Sequence, residues 1–155
     1  GEDQTRETAE TLFVETARRI CDYAGERGVT IIIEPVNRYE INFVNNLPDG
    51  AALLAKVERE NLGLMPDLFH MNIEDAQIGG NLAEYGDLVK YIHFADSNRL
   101  APGRGHIDFD DVFDGLRRAR FDGWASIEIL PQPDPDTAAH QAAETVLPWI
   151  ENYSL

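Results

Sequence analysis

The sequence predicts an α/β fold with a parallel sheet, one leading helix being followed by four strand–helix units. Three observations carry this reading. Short runs such as Thr30-Ile31-Ile32-Ile33 are β-branched and continuous rather than alternating, as in strands covered on both faces. The segments between such runs repeat apolar residues every three or four positions, the spacing of an amphipathic helix. The two patterns alternate with no linker or low-complexity tract, which implies right-handed crossovers in a single domain spanning residues 1–155.

The elements follow in order. Over 5–25, Leu12, Phe13, Ala17, Ile20, Cys21 and Ala24 share one helical face, and Gly25 or Gly28 ends the helix. Residues 30–36 form the first strand. Residues 48–60 form a helix with Pro48 near its first turn and Ala52, Leu53 and Val57 facing inward. The second strand covers 62–69, a shorter helical stretch 81–85, and the third strand 89–95. Residues 109–118 are helical, with Val112, Phe113, Leu116 and the following Ala119 on one face. The fourth strand is 124–130, and a helix over 136–150 closes the chain with Asp136 or Thr137 as its cap. Pro131, Pro133 and Pro135 make the segment before it a rigid connector. The Pro-, Gly- and Arg-containing segment 97–108 is the longest candidate for a functional loop.

Composition narrows the function. At 43% hydrophobic and 26% charged residues the chain matches soluble globular proteins. A net charge of −15 repels polyanions, so neither nucleic acid nor an anionic membrane is an expected partner. The one cysteine, Cys21, excludes an intrachain disulfide and a thiolate zinc cluster, and it fits a small core residue. With no membrane-length apolar stretch and no signal-peptide pattern, a cytoplasmic location is expected. The chain starts at Gly1 rather than Met, as if further sequence preceded it.

Each predicted strand carries, in or near its last part, a residue suited to metal ligation: Glu34, Asp67, His93 and Glu128. A charge among apolar neighbours is costly unless paired or coordinated. Taken singly, a strand-end Glu fits a solvated residue or a salt-bridge partner for something like Arg38, and His93 fits a hydrogen-bonded core histidine. Four successive strands make one shared cation the simpler explanation. Two Glu, one Asp and one His suit Mn²⁺, Mg²⁺ or Co²⁺, with Zn²⁺ also accommodated. Ligands of α/β folds bind at the carboxyl ends of the strands, where Asn37, Arg38, Glu40, His70, Asn72, Asp96, Asn98 and Arg99 would share the same mouth. Arg104, His106 and His140 fit surface positions.

The segments Glu34-Pro-Val-Asn-Arg-Tyr-Glu40, Asp67-Leu-Phe-His-Met-Asn-Ile-Glu74, His93-Phe-Ala-Asp-Ser-Asn-Arg99 with Pro102-Gly-Arg-Gly105, and Phe121-Asp-Gly-Trp-Ala-Ser-Ile-Glu128 resemble the xylose-isomerase-like TIM-barrel superfamily. The likeness is closest to its ketose 3-epimerase branch, the D-tagatose/D-psicose 3-epimerase type. The resemblance implies a (β/α)8 barrel, of which this chain would supply the carboxyl-terminal half: about four β/α units and the helix before them. It implies one divalent cation held by Glu34, Asp67, His93 and Glu128, with His70, Arg99 and Glu40 reaching the sugar. Glu34 and Glu128 would also be the acid/base pair on opposite faces of the substrate carbon, passing through a cis-enediolate. Half a barrel leaves open strand edges, so an upstream half or a second copy is expected to complete it.

Other readings share these motifs. Moving the proton between C1 and C2 would make an aldose–ketose isomerase. An inositol-type dehydratase overlaps in its metal and acid/base logic. An apurinic endonuclease of the same superfamily would use a multi-zinc site, and four His in a chain with 28 acids supply few of the ligands it needs. A half-barrel that binds metal without turnover is the non-enzyme alternative.

Overall fold

The computed structural model describes residues 5–152. The first helix, α1 (Arg6–Gly25), is capped by the Thr5 hydroxyl, which accepts the Thr8 N–H at 3.2 Å. It packs on β1 (Ile31–Ile33) and α2 (Leu47–Val57) and buries Ala17, Cys21 and Ala24. Leu12 and Ile20, expected on the buried face, are 48% and 47% exposed. The apolar arc of α1 is wider than the groove it fills, so one flank stays in water.

Asn46 caps α2 by accepting the Asp49 N–H at 2.8 Å, and Glu58, at φ 56°, ends it before the expected Glu60. Next come β2 (Leu62–Leu64), α3 (Leu68–Glu74), α4 (Ile78–Tyr85) with a 3₁₀ turn over Gly86–Leu88, and β3 (Tyr91–Phe94). The chain closes with α5 (Phe109–Ala119), β4 (Trp124–Ile127) and α6 (Pro135–Glu151).

All strand pairing is parallel. Ile31 to Ile33 of β1 lie beside Leu62 to Leu64 of β2, and Tyr91 to Phe94 of β3 beside Trp124 to Ile127 of β4. Two isolated bridges, Leu64 to Val89 and Asp67 to His93, join the pairs, so the strands run in chain order β1-β2-β3-β4. Helices lie against one face, where Leu64, Ile92, Leu47, Leu68, Leu82 and Val112 are fully buried.

Further expectations need correction. The strands are shorter than predicted because the ladder stops where the chain turns into the mouth. The second ends at Leu64 rather than running to Phe69, since Asp67 caps α3 and its Oδ1 accepts the Phe69 N–H at 2.8 Å. Two-sided burial holds in β2, whose three residues are all buried, but not in β1 or β4, where Ile32 is 37% and Ile127 38% exposed on the side the helices do not cover. Finally, the cap of α6 is Asp134, not Asp136 or Thr137. Its carboxylate accepts the Thr137 N–H at 2.9 Å and hydroxyl at 2.8 Å, with Pro135 in the first turn.

The helix predicted at 81–85 starts earlier, at Ile78, despite Gly79 and Gly80. Packing explains the glycine. A Cβ on Gly115 of α5 would lie 2.3 Å from the Gly79 carbonyl oxygen, so α4 and α5 cross too closely for a side chain. No helix of the described residues is long and apolar enough to cross a membrane.

Candidate metal centre

Strand order brings the four charged residues to one end of the sheet. Glu34 follows β1, Asp67 follows β2, His93 lies within β3 and Glu128 follows β4. The Asp67–His93 bridge sets those two side by side, and His93 faces Ser126 two residues before Glu128. One ligand atom from each residue lies within 4.8 Å of the other three. His93 Nδ1 is 2.6 Å from Glu128 Oε2 and 3.9 Å from both Glu34 Oε1 and Asp67 Oδ2.

Local structure aims these atoms. Capping α3 occupies Asp67 Oδ1 and leaves Oδ2 facing the cluster. Asp67 has no solvent exposure, and Asp67 Oδ2 and His93 Nδ1 are buried without an aligned hydrogen-bond partner. The short His93–Glu128 approach is thus a meeting of two ligand atoms rather than a hydrogen bond. Leaving such atoms unsatisfied costs on the order of 1–3 kcal/mol each, a cost that a shared cation removes.

The donor set fits a divalent ion. Metal–ligand distances of about 2.1 Å put adjacent ligands about 3.0 Å and opposite ones about 4.2 Å apart, so the atoms now 3.9 Å apart would draw in while the 2.6 Å His93–Glu128 pair would open slightly. Burial pushes the Asp67 carboxyl up to about 7, against the opposing pull of the Phe69 N–H and Arg99. Burial likewise raises Glu34, partly countered by His93. At Glu128 burial acts in the same sense, but its neighbours Asp67, His93 and Arg99 outweigh it and hold the carboxyl below the ordinary glutamate range. Of Asp67 and Glu128, the more deeply buried Asp67 is the one whose carboxyl is pushed toward the neutral form.

Arg99, His70 and Glu40 all border the cluster. Arg99 Nη2 lies 3.3 Å from Asp67 Oδ2 and 3.1 Å from Glu128 Oε2, while its guanidinium covers the Phe69 ring at 4.8 Å. His70 is 3% exposed, with Nε2 3.8 Å from Glu34 Oε1. Burial lowers its pKa, which favours the neutral ring. Glu40 Oε1 is 3.9 Å from His70 Nδ1, and Asn37 stands between them.

Other predicted neighbours have different work. Arg38 does not pair with Glu34; it makes a bidentate pair with Glu74, with contacts of 2.8 and 2.9 Å, and its backbone N–H adds a third at 2.6 Å. Asn98 braces its loop on the Arg104 carbonyl at 2.8 Å, and Asn72 is exposed. Asp96 is no ligand: it is fully buried and accepts backbone N–H groups from Ser97, Gly103 and Ile107. Arg104, His106 and His140 are exposed, and Cys21 is buried, as expected. Sequence reasoning assigned no task to Asn37 or Asp96. For Asn37 a signal exists, since Asn followed two residues later by an ordered N–H is an Asx-turn.

Parallel strands joined by helices, with a convergent acid–histidine cluster at their carboxyl ends, define a barrel-type α/β protein with a candidate metal centre. The chain matches the Xylose isomerase-like TIM barrel family over residues 1–153, and it belongs to that family. It is 36% identical over 115 residues to an L-ribulose 3-epimerase from Methylomonas sp. (strain DH-1), covering 74% of this chain and 40% of that protein. It is 30% identical over 140 residues to a 3-dehydro-D-guloside 4-epimerase from Escherichia coli (strain K12), covering 90% of this chain and 52% of that one. Among solved structures, a D-allulose 3-epimerase from Methylomonas sp. superposes with a TM-score of 0.87 at 31% identity, over 94% of this chain and 57% of that one. The chain thus spans about half the length of the relatives it matches.

Proposed function

We propose that this chain is the carboxyl-terminal half of a (β/α)8 barrel and carries the metal centre and the acid/base pair of a ketose epimerase. One observation carries the reading: Glu34 and Glu128 enter the same cluster from the outermost strands, β1 and β4, while Asp67 and His93 lie between them. Two carboxylates arriving from opposite sides suit proton removal from one face of a carbon and return to the other. The relatives, both 3- and 4-epimerases by name, support inversion at a carbon beside a carbonyl.

A bound divalent cation would supply Lewis acidity toward adjacent sugar oxygens, with Mn²⁺, Mg²⁺ or Co²⁺ favoured by the oxygen-rich ligands and Zn²⁺ accommodated. Glu34, Asp67, His93 and Glu128 would hold it. Glu34, whose carboxyl is raised by burial, removes or donates a proton at the substrate carbon, and Glu128 does the complementary step. Arg99, between Asp67 and Glu128, places positive charge where oxyanion character develops. His70 and Glu40 bind substrate hydroxyl or carbonyl oxygens. The remaining wall comes from an upstream barrel half or a second copy, and that wall decides which carbon is presented. An aldose–ketose isomerase is the neighbouring reading, since the same residues serve if C1 and C2 lie between the two Glu. A multi-zinc endonuclease is less well supported, because the one convergent group found among the described residues suits a single ion.

The test is exchange of solvent deuterium into ketoses such as L-ribulose and D-psicose, with Mn²⁺ and after chelation. The expected result is label at C3 with inversion there, only with the cation, and loss of inversion in Glu128→Gln with the fold retained. Full inversion in that variant would overturn the assignment of Glu128.

A further inference from the structure

Asn37 is 2% exposed, and its amide can adopt one orientation only. Its Oδ1 accepts the Tyr39 backbone N–H at 3.0 Å, a group that can only donate. Its Nδ2 donates to Glu40 Oε1 at 2.9 Å, and an ionised carboxylate can only accept. Exchanging the two ends would set donor against donor at Tyr39 and acceptor against acceptor at Glu40. The second Nδ2 hydrogen then points at His70 Nδ1, 2.7 Å away. A ring nitrogen that receives this hydrogen must offer a lone pair, so the ring proton sits on Nε2.

We infer that Asn37 is a positioning residue that fixes His70 as its Nε2–H tautomer, so that the ring presents a hydrogen-bond donor beside Glu34 to a ligand oxygen. At 3.8 Å, Nε2 is too far from Glu34 Oε1 for a direct hydrogen bond, leaving that hydrogen available. Glu40 anchors the arrangement from the other side, holding the Asn37 amide rather than the ring. The tautomer follows from hydrogen bonding alone. That the acceptor is a sugar oxygen rests on the function proposed above.

The variant that separates a positioning role from a structural one is Asn37→Asp. It keeps the shape and the acceptor for Tyr39, but places a carboxylate oxygen against His70 Nδ1 and against Glu40 Oε1, from which the exposed Glu40 side chain can turn away into water. The expected result is inversion of the tautomer, with the proton on Nδ1 and a lone pair at Nε2. Long-range ¹H–¹⁵N correlation spectra of the substrate-free, metal-free protein read this directly, with His70 assigned by difference against His70→Gln. Wild type should show a pyrrole-like Nε2 and a pyridine-like Nδ1, Asn37→Asp the reverse, and Asn37→Ala a mixture. In the turnover assay, Asn37→Asp should lower kcat by about 10²-fold with a smaller effect on KM, as expected for a lost oxyanion donor.

A wild-type ring protonated on Nδ1 overturns the inference even if a variant fails to fold. So does an Asn37→Asp protein that keeps the Nε2–H tautomer. The expected spectra together with no deuterium exchange in any ketose would instead refute the proposed epimerase while leaving the positioning role intact.

Discussion

Replacing Asp96 by Asn should loosen the loop that carries Arg99. Asp96 Oδ1 accepts the N–H groups of Ser97 at 2.7 Å and Ile107 at 3.1 Å, and Oδ2 accepts that of Gly103 at 2.8 Å. The fit is close: a Cβ on Gly105 would lie 2.2 Å from Oδ1. Arg99, at φ 60°, is tied into the same loop by its N–H on the Asp96 carbonyl and by its own carbonyl, which accepts the Leu130 N–H. Asparagine preserves the shape but turns one acceptor oxygen into a donor facing at least one backbone N–H. A charge-assisted bond is worth about 1.5–3 kcal/mol and the orphaned N–H adds to the loss, so the expected cost is about 2–4 kcal/mol. That corresponds to a fall in Tm on the order of 10 °C.

The pH dependence has a definite sign. Burial would raise the Asp96 carboxyl, but the N–H groups of Ser97, Ile107, Gly105 and Gly103 more than offset it and hold it below the ordinary range. A depressed folded-state pKa contributes stability above the unfolded value of about 3.9, and that stability is lost as pH falls through the folded value. Urea unfolding should therefore show the full wild-type advantage at pH 7 and a shrinking one below about pH 4. A cost under about 0.5 kcal/mol at pH 7, or a gap independent of pH, would refute this account of the loop.

Two further predictions concern the cation and the helix crossing. Arg99→Met removes a positive charge 3.3 Å from Asp67 Oδ2 and 3.1 Å from Glu128 Oε2, so calorimetry should find Mn²⁺ bound about tenfold more tightly while turnover falls; weaker binding would mean that Arg99 organises the ligands instead of competing with the ion. Gly115→Ala forces a methyl to 2.3 Å from the Gly79 carbonyl and should cost about 1–3 kcal/mol in chemical unfolding. Gly80→Ala is the control: its closest contact, 3.0 Å, is a side-chain atom of the exposed Gln77, and it should be neutral or stabilising by up to about 1 kcal/mol. Equal effects from the two substitutions would remove the close-crossing explanation.

Element type was legible in the sequence wherever periodicity and composition agreed. α5 was found nearly to the residue because its apolar face is regular and Asp108 caps it by accepting the Asp110 and Asp111 N–H groups. Boundaries failed where one residue serves two purposes. Asp67 ends an apolar run and looked like part of a strand, yet it caps a helix and aims its second oxygen at the cluster. Burial also failed at the margins. Leu12, Ile20, Ile32 and Ile127 have core-like surroundings in sequence, but whether an apolar residue is covered depends on neighbours that the local pattern does not encode.

The sequence by itself determined the α/β class and the four acid and histidine positions, because strand and helix periods are local properties and buried charge is conspicuous against apolar runs. Its motifs also carried the family resemblance. Only the tertiary structure decided that the four ligand atoms meet within 4.8 Å, that Arg38 goes to Glu74 rather than Glu34, that Asp96 holds a loop, and that Asn37 orients His70. Those outcomes depend on strand order, register and the directions of side chains far apart in the chain. Hydrogen bonding is directional, so partners follow from three-dimensional placement and not from residue type.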